Sequence, residues 1–167
     1  MKVAVCRYAV GKPSGFDEFA TRQRQLLAQA ATQGAQVAVL PEYLALELAA
    51  TFPEEVYSDL HASLAAIQPL RGAWNELFAA LARDTGMHVV AGSFLLRLPS
   101  GHYRNRSDLF APDGGHHWQD KLQLTGFEKA SGVIEAGDAL KVAALDGIRA
   151  GISICYDSEF PLPVRAQ

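Results

Sequence analysis

The sequence predicts an α/β fold built on a mixed sheet. Three observations carry that expectation. Residues 2–40 read as strand, helix, strand, with lengths that make a βαβ unit and hence a parallel pair. Residues 88–122 change to short apolar runs separated by tight turns, the pattern of antiparallel hairpins. Amphipathic stretches at helical spacing lie between, enough to cover one face of a sheet. With 167 residues the chain can bury a core and is expected to form a single domain, residues 1–167.

Taken in order, residues 2–9 are apolar and β-branched (Val3, Val5) and read as a buried strand, with Cys6 inside it as a core thiol. Gly11-Lys12-Pro13-Ser14-Gly15 is a loop. A helix is expected from about Phe16 to Gln33, where Phe16, Phe19, Ala20, Gln23, Leu26, Leu27 and Ala30 recur on one face and Gly34 stops it. Val37-Ala38-Val39-Leu40 is a continuous apolar run, as in a strand buried on both faces. Pro41 ends it, since proline cannot continue a central ladder. Residues 44–68 are helical material broken at Thr51-Phe52-Pro53, and residues 69–84 form a second amphipathic helix with the stripe Trp74, Leu77, Phe78, Leu81. Residues 88–98 read as one strand, Pro99-Ser100-Gly101 as a turn, residues 103–110 as the returning strand, and residues 117–122 as a short third one. Residues 123–139 form a long irregular loop, of a length that usually serves a site or is disordered. Residues 140–145 and 148–154 flank Asp146-Gly147, a strong hairpin signal. Alternation puts Ile148, Ala150, Ile152 and Ile154 on a core face and Arg149, Gly151, Ser153 and Cys155 on the other. After Phe160-Pro161 a helix is expected to start.

Bulk properties exclude several classes. A net charge of −3 with 20% charged residues implies no basic face, so nucleic acid is not an expected partner. No apolar run approaches a membrane span, and the start of the chain is too short for a signal peptide, which makes the cytoplasm the expected location. The two cysteines, Cys6 and Cys155, do not make a disulfide framework.

Cys155 is the residue around which a chemistry can be organised. It stands at the carboxyl end of a strand, where open α/β sheets place reacting groups, although a buried structural cysteine is the plainer alternative. A cysteine nucleophile needs a base for its proton or a cation for its anion. None of the five histidines (His61, His88, His102, His116, His117) has a local signature, and no metal-ligand spacing exists, so no metal or cofactor is expected. The other route uses a carboxylate and a lysine. Glu42 follows the second strand directly, and Lys121 ends a short strand just before the long loop, with Glu128 seven residues on. Each has a surface reading as well.

Leu40-Pro41-Glu42, then Asp120-Lys121-Leu122 with Glu128, then Ile154-Cys155-Tyr156-Asp157-Ser158-Glu159-Phe160-Pro161 resemble, in order and in outline spacing, the three motif blocks of the nitrilase, or carbon–nitrogen hydrolase, superfamily. Tyr103-Arg104-Asn105, Pro112-Asp113-Gly114 and Gly137 are similar to that family's flanking features. The resemblance implies an α-β-β-α sandwich of the nitrilase type with a mixed sheet. Family domains are longer, so the chain is expected to be the N-terminal portion of one, incomplete at its C-terminus after the cysteine turn. The resemblance also implies a Glu-Lys-Cys triad. Cys155 attacks an amide, carbamoyl or, less in keeping with Tyr156-Asp157, nitrile carbon. Glu42 is the general base, and Lys121 with the Tyr156 N–H stabilises the oxyanion. Glu128 orients substrate and lysine, with Glu135 in the same loop as its alternative. A lysine beside the thiol is expected to lower its pKa. The implied activity is release of ammonia from a small molecule, without cofactor or metal, by a homo-oligomer. A catalytically silent member acting in assembly is the alternative. A redox sensor would need Cys6 as its resolving thiol, which its strand position disfavours.

Overall fold

The computed structural model describes residues Met1–Gln167. Strand β1 (Val3–Val5) leads to helix α1 (Phe16–Thr32), whose first turn carries Asp17 and Glu18 at the positive helix end. Strand β2 (Val37–Val39) follows. A 3-10 segment (Leu44–Thr51), α2 (Glu54–Tyr57) and α3 (Leu60–Ile67) occupy the stretch around Pro53, and α4 (Arg71–Thr85) stops at Gly86 in the left-handed conformation. Strands β3 (His88–Val90), β4 (Phe94–Arg97), β5 (Tyr103–Phe110) and β6 (His116–Asp120) come next. The short helix α5 (Gly126–Ala130), the hairpin β7 (Val142–Leu145) and β8 (Ile148–Gly151), and α6 (Pro161–Ala166) complete the chain.

β1, β2 and β3 pair in parallel, and β5 runs antiparallel to β3, β4 and β6, so the six-stranded sheet is mixed as expected. Arg106 is matched to Phe94 of β4 on one side and to Asp120 of β6 on the other. β4 therefore continues β3 along one edge of β5, and β6 lies along its opposite edge. The β7–β8 hairpin forms its own two-stranded sheet.

The period-2 alternation of β2 sorts its side chains between two layers. Ala38 and Leu40 face α1 and α4 in the main core, with Val89 and Phe110 beside them. Val37 packs with Leu109 against Ala143 and Leu145 of the hairpin, with Val39 on the margin of that cluster. The helix layer is organised by fully buried aromatics: the Trp74 ring centroid lies 5.7 Å from Phe19, 4.7 Å from Phe78 and 5.6 Å from Phe94. The result is helix on sheet on sheet, three layers of the expected sandwich, followed in the chain by the six-residue α6.

Four expectations need correction. β1 is not buried: Val3 is 49% and Val5 80% exposed. They share a face with Val37 and Val39, but the hairpin that covers β2 does not reach across to β1. The single strand of residues 88–98 is two strands in line, interrupted at Ala91-Gly92-Ser93. The strand expected over residues 148–154 ends at Gly151, and Ile148 is 50% exposed rather than core, whereas Ile154 is buried. The irregular loop contains α5.

The interruption has a purpose that Gly92 makes visible. Its φ is +66°, and a Cβ there would lie 2.2 Å from the Pro41 carbonyl oxygen and 2.9 Å from Leu44 Cβ. The backbone of the β2 exit thus rests directly on Gly92. Gly92→Ala is expected to destabilise the fold by about 2–4 kcal/mol through backbone strain and displacement of Pro41. Urea denaturation measures it, and an unchanged midpoint would show that the contact is soft.

Candidate active site

Four elements deliver side chains to one place. Glu42 leaves β2 where Pro41 turns the chain out of the sheet. Tyr43 follows in the left-handed region, φ 61°, and its N–H donates to Ser93 Oγ at 2.8 Å, so the bend is fixed from the β3–β4 interruption. Lys121 follows β6 directly. Its N–H donates to the Asn105 carbonyl at 2.9 Å and its carbonyl accepts from the Gly137 N–H at 2.7 Å. A Cβ on Gly137 would meet the Asp120 backbone and Cβ at 2.8 Å, so only glycine lets the loop close on this strand end.

Cys155 starts a 3-10 turn, Cys155–Glu159, with φ 47°, unusual for a residue other than glycine. Asp157 holds this turn. Its Oδ2 accepts from the Ile154 N–H at 3.0 Å, and its Oδ1 accepts from the Leu122 and Gln123 N–H groups at 3.1 and 2.7 Å. One buried carboxylate therefore ties the cysteine turn to the segment that follows Lys121.

Lys121 is 1% exposed and its Nζ sits between two carboxylates, 2.7 Å from Glu42 Oε1 and 2.9 Å from Glu128 Oε2. Burial pushes the ammonium toward its neutral form, but the hydrogen bonds and charges of Glu42 and Glu128 outweigh that and raise its pKa. Glu128 is fully buried and its oxygens are crowded with donors. The Tyr43 hydroxyl donates to Oε1 at 2.5 Å, and the Thr125 N–H donates to Oε2 at 2.8 Å. The Thr125 Oγ1 in turn accepts from the Glu128 N–H, which makes a capping box that opens α5. Tyr43 is held well above the usual phenol range, by burial first and then by the hydrogen bond to Glu128, so it stays a donor.

The thiol of Cys155 and the carboxylate of Glu42 line the same cavity, close enough for Glu42 to act on the thiol's proton affinity. Lys121 lowers this thiol as expected, but it is outweighed. Loss of water on the inner side of the sulfur, then the carboxylate of Glu42, hold its pKa above the ordinary value, with Lys121 and the Tyr156 N–H opposing. The lysine's charge is already matched by two carboxylates. Cys155 itself is exposed on its outer side and lines a cavity of about 250 Å³ with Glu42, Gly92, Ser93 and Ser107.

Glu135 is elsewhere: it lies on the surface, 2.6 Å from His102 Nδ1. His88 and His116 are paired with Asp146 and Asp108, and no group of three or more His, Cys, Asp or Glu side chains is placed to hold a metal ion. Sequence reasoning missed Tyr43, Asn105 and Asp157 as members of this cluster. For Glu128 over Glu135 a signal was present, since Thr125-x-x-Glu128 is a capping box and Glu135 has none.

Glu128 also gives a pH dependence. Burial raises its carboxyl, but the hydrogen bonds from Tyr43, Thr125 and Lys121 prevail and hold it below the usual carboxylate range. A depressed folded-state value means that its stabilisation is present above its unfolded pKa and is lost as pH falls through the folded one. The stability difference between the wild-type chain and Glu128→Gln is therefore expected to be full near pH 7 and to shrink as pH drops below about 4. Urea midpoints from pH 7 to pH 3 measure it, and a constant difference would refute the assignment.

A family model described as carbon–nitrogen hydrolase matches residues 2–167. The chain is 30% identical over 161 residues to a probable hydrolase, YhcX, of Bacillus subtilis, covering 96% of this chain and 31% of that protein. It is 26% identical to the omega-amidase NIT2-B of Xenopus laevis, covering 81% of this chain and 48% of that protein. The chain thus spans about a third to a half of the curated relatives it matches. Among solved structures it superposes on a carbon–nitrogen hydrolase from Helicobacter pylori G27 with TM-score 0.78 at 16% identity, over 99% of this chain and 55% of that one. It also superposes on an amidase from Nesterenkonia sp. AN1, in which acrylamide has added to the active-site cysteine, with TM-score 0.70 at 23% identity, over 99% and 61%. These neighbours share the mixed-sheet sandwich, and no helix here is long and apolar enough to cross a membrane. With the family match running over nearly every residue, the chain belongs to the carbon–nitrogen hydrolase family.

Proposed function

We propose that this chain carries the catalytic triad of an amidase-like hydrolase that acts on a small amide or carbamoyl compound through a thioacyl intermediate and releases ammonia. The observation that carries the reading is the buried Lys121 ammonium bound to Glu42, the carboxylate that shares a cavity with the Cys155 thiol.

The steps follow from the protonation states. At rest Cys155 is a thiol and Glu42 a carboxylate. As Sγ attacks the carbonyl carbon, its proton passes to Glu42, so the anion never has to exist free. An ammonium has three N–H donors. Lys121 uses two of them on Glu42 and Glu128. The third, with the Tyr156 N–H, faces the oxyanion of the tetrahedral intermediate, a contribution typically worth about 3–4 kcal/mol of barrier. Collapse breaks the C–N bond, Glu42 returns the proton to the leaving nitrogen, and ammonia departs from a thioester. Glu42 then takes a proton from water, whose oxygen attacks the thioester. The acid leaves and the thiol is restored.

Ammonia release from a panel of primary amides, carbamoyl compounds and nitriles, measured on the full-length protein, tests this. Release from at least one amide or carbamoyl compound, with hydroxylamine intercepting the acyl group as a hydroxamate, is the expected result. No release from any member would overturn it in favour of the silent, assembling reading, which the exposed Val3, Val5, Ile148 and Leu162 support.

A further inference from the structure

Asn105 is fully buried on β5 and has no place in the triad. Its side-chain Nδ2 donates to Glu42 Oε1 at 2.8 Å and approaches Glu128 Oε1 at 3.3 Å. Its Oδ1 is buried with no hydrogen-bond partner. The reversed amide would set Oδ1 against two carboxylate oxygens, so chemistry fixes the orientation even though it leaves an acceptor unmet. An asparagine kept only to fill space would not need that arrangement.

The site holds two carboxylates and one ammonium in a buried space, an excess of one negative charge. Like charges that close tend to share a proton, and a shared proton on Glu42 would remove its capacity as a base. A neutral group with two N–H donors serves both carboxylates without titrating. It also assigns the oxygens of Glu42. Oε1 accepts from both Lys121 Nζ and Asn105 Nδ2, which leaves Oε2 without a protein partner beside the cavity that Glu42 shares with Cys155. The backbone of Asn105 contributes in the same sense, because its carbonyl accepts the Lys121 N–H.

We propose that Asn105 is a positioning residue of this site, whose amide N–H groups bridge Glu42 and Glu128 and turn one oxygen of Glu42 toward Cys155. This rests on the hydrolase reading above. The groups facing the bridge are Lys121 after β6, Glu128 from α5, Tyr43 and Glu42 after β2, and Cys155 after β8. Arg104 and Arg106, on the other face of β5, are engaged by Asp120 and Asp138.

Two variants test it. Asn105→Asp is isosteric and puts a third carboxylate on one lysine; Asn105→Ala removes the donors without adding charge. Asn105→Asp is expected to move the acid limb of the kcat/KM profile up by about one pH unit or more and to lower kcat at pH 7 by about 10²-fold, with KM changed less than about 3-fold. Asn105→Ala is expected to lower kcat by roughly 10-fold or more with a smaller shift of the limb. The pH dependence of Cys155 alkylation by iodoacetamide, read by mass spectrometry with Cys6 as internal reference, should shift the same way and needs no substrate. Wild-type kcat and pH profiles in both folded variants would overturn the proposal. So would failure of both to fold, which would mark Asn105 as structural only. Ammonia release that persists in Cys155→Ala would instead sink the hydrolase reading itself, so the two failures are distinguishable.

Discussion

Cys155→Ala is expected to abolish ammonia release, lowering kcat/KM by about 10⁵-fold or more, because in the proposed mechanism the nucleophile and the proton that Glu42 receives are removed together. The fold should survive. Cys155 is exposed, and Ala meets the same φ of 47° that Cys does, so the backbone neither gains nor loses strain. Thermal unfolding should shift by no more than about 2 °C. The hydroxamate trapped from the wild-type enzyme should vanish. Turnover retained in this variant would remove the thioacyl mechanism, and a large drop in thermal midpoint would mean that the sulfur is part of the packing instead.

Lys121→Met should have the largest effect on stability. Methionine fills similar space without charge, so the change isolates the ammonium. Glu42 and Glu128 would then keep only uncharged partners, Asn105, Tyr43 and Thr125. Breaking a buried ion group by removing one member typically costs about 3–5 kcal/mol, since the partner charge stays behind uncompensated. Turnover should fall by at least about 10²–10³-fold with the oxyanion donor gone. A second substitution discriminates the cause: adding Glu128→Gln to Lys121→Met should recover part of the stability and none of the activity. Urea midpoints of the two single variants and the double variant measure this. A double variant as unstable as the sum of the singles would show that Lys121 stabilises through packing rather than charge.

The sequence made some of this architecture legible and hid the rest for physical reasons. The parallel βαβ start was readable because Pro41 and Gly34 punctuate strong apolar periodicities, and the β7–β8 turn because Asp146-Gly147 takes positive φ at both positions. The break between β3 and β4 was not, since Gly92 matters through what lies against it, the Pro41 carbonyl, which is far away in the chain. The exposure of Val3 and Val5 was hidden too, because cover is supplied by another layer and no local pattern reports its width. The positions of Glu42, Lys121 and Cys155 at strand ends could be placed one by one. Their mutual charge balance could not. Burial of the sulfur and then Glu42 outweigh the lysine at the thiol, and Glu128, Tyr43 and Asn105 pointing inward complete the cluster around that lysine.

Glu128 closes two circuits with one carboxylate. Through Thr125 it opens α5, a helix of five residues that is too short to persist by its own propensity. Through Lys121 it completes the charge balance at the strand end. The two circuits are linked: fraying of α5 withdraws an anion from the lysine, and loss of the lysine removes one of the donors that hold Glu128 beside Tyr43, Asn105 and Thr125. The loop and the charge cluster are therefore coupled through one residue. Loosening of the 125–130 segment would leave Lys121 with Glu42 as its one carboxylate partner.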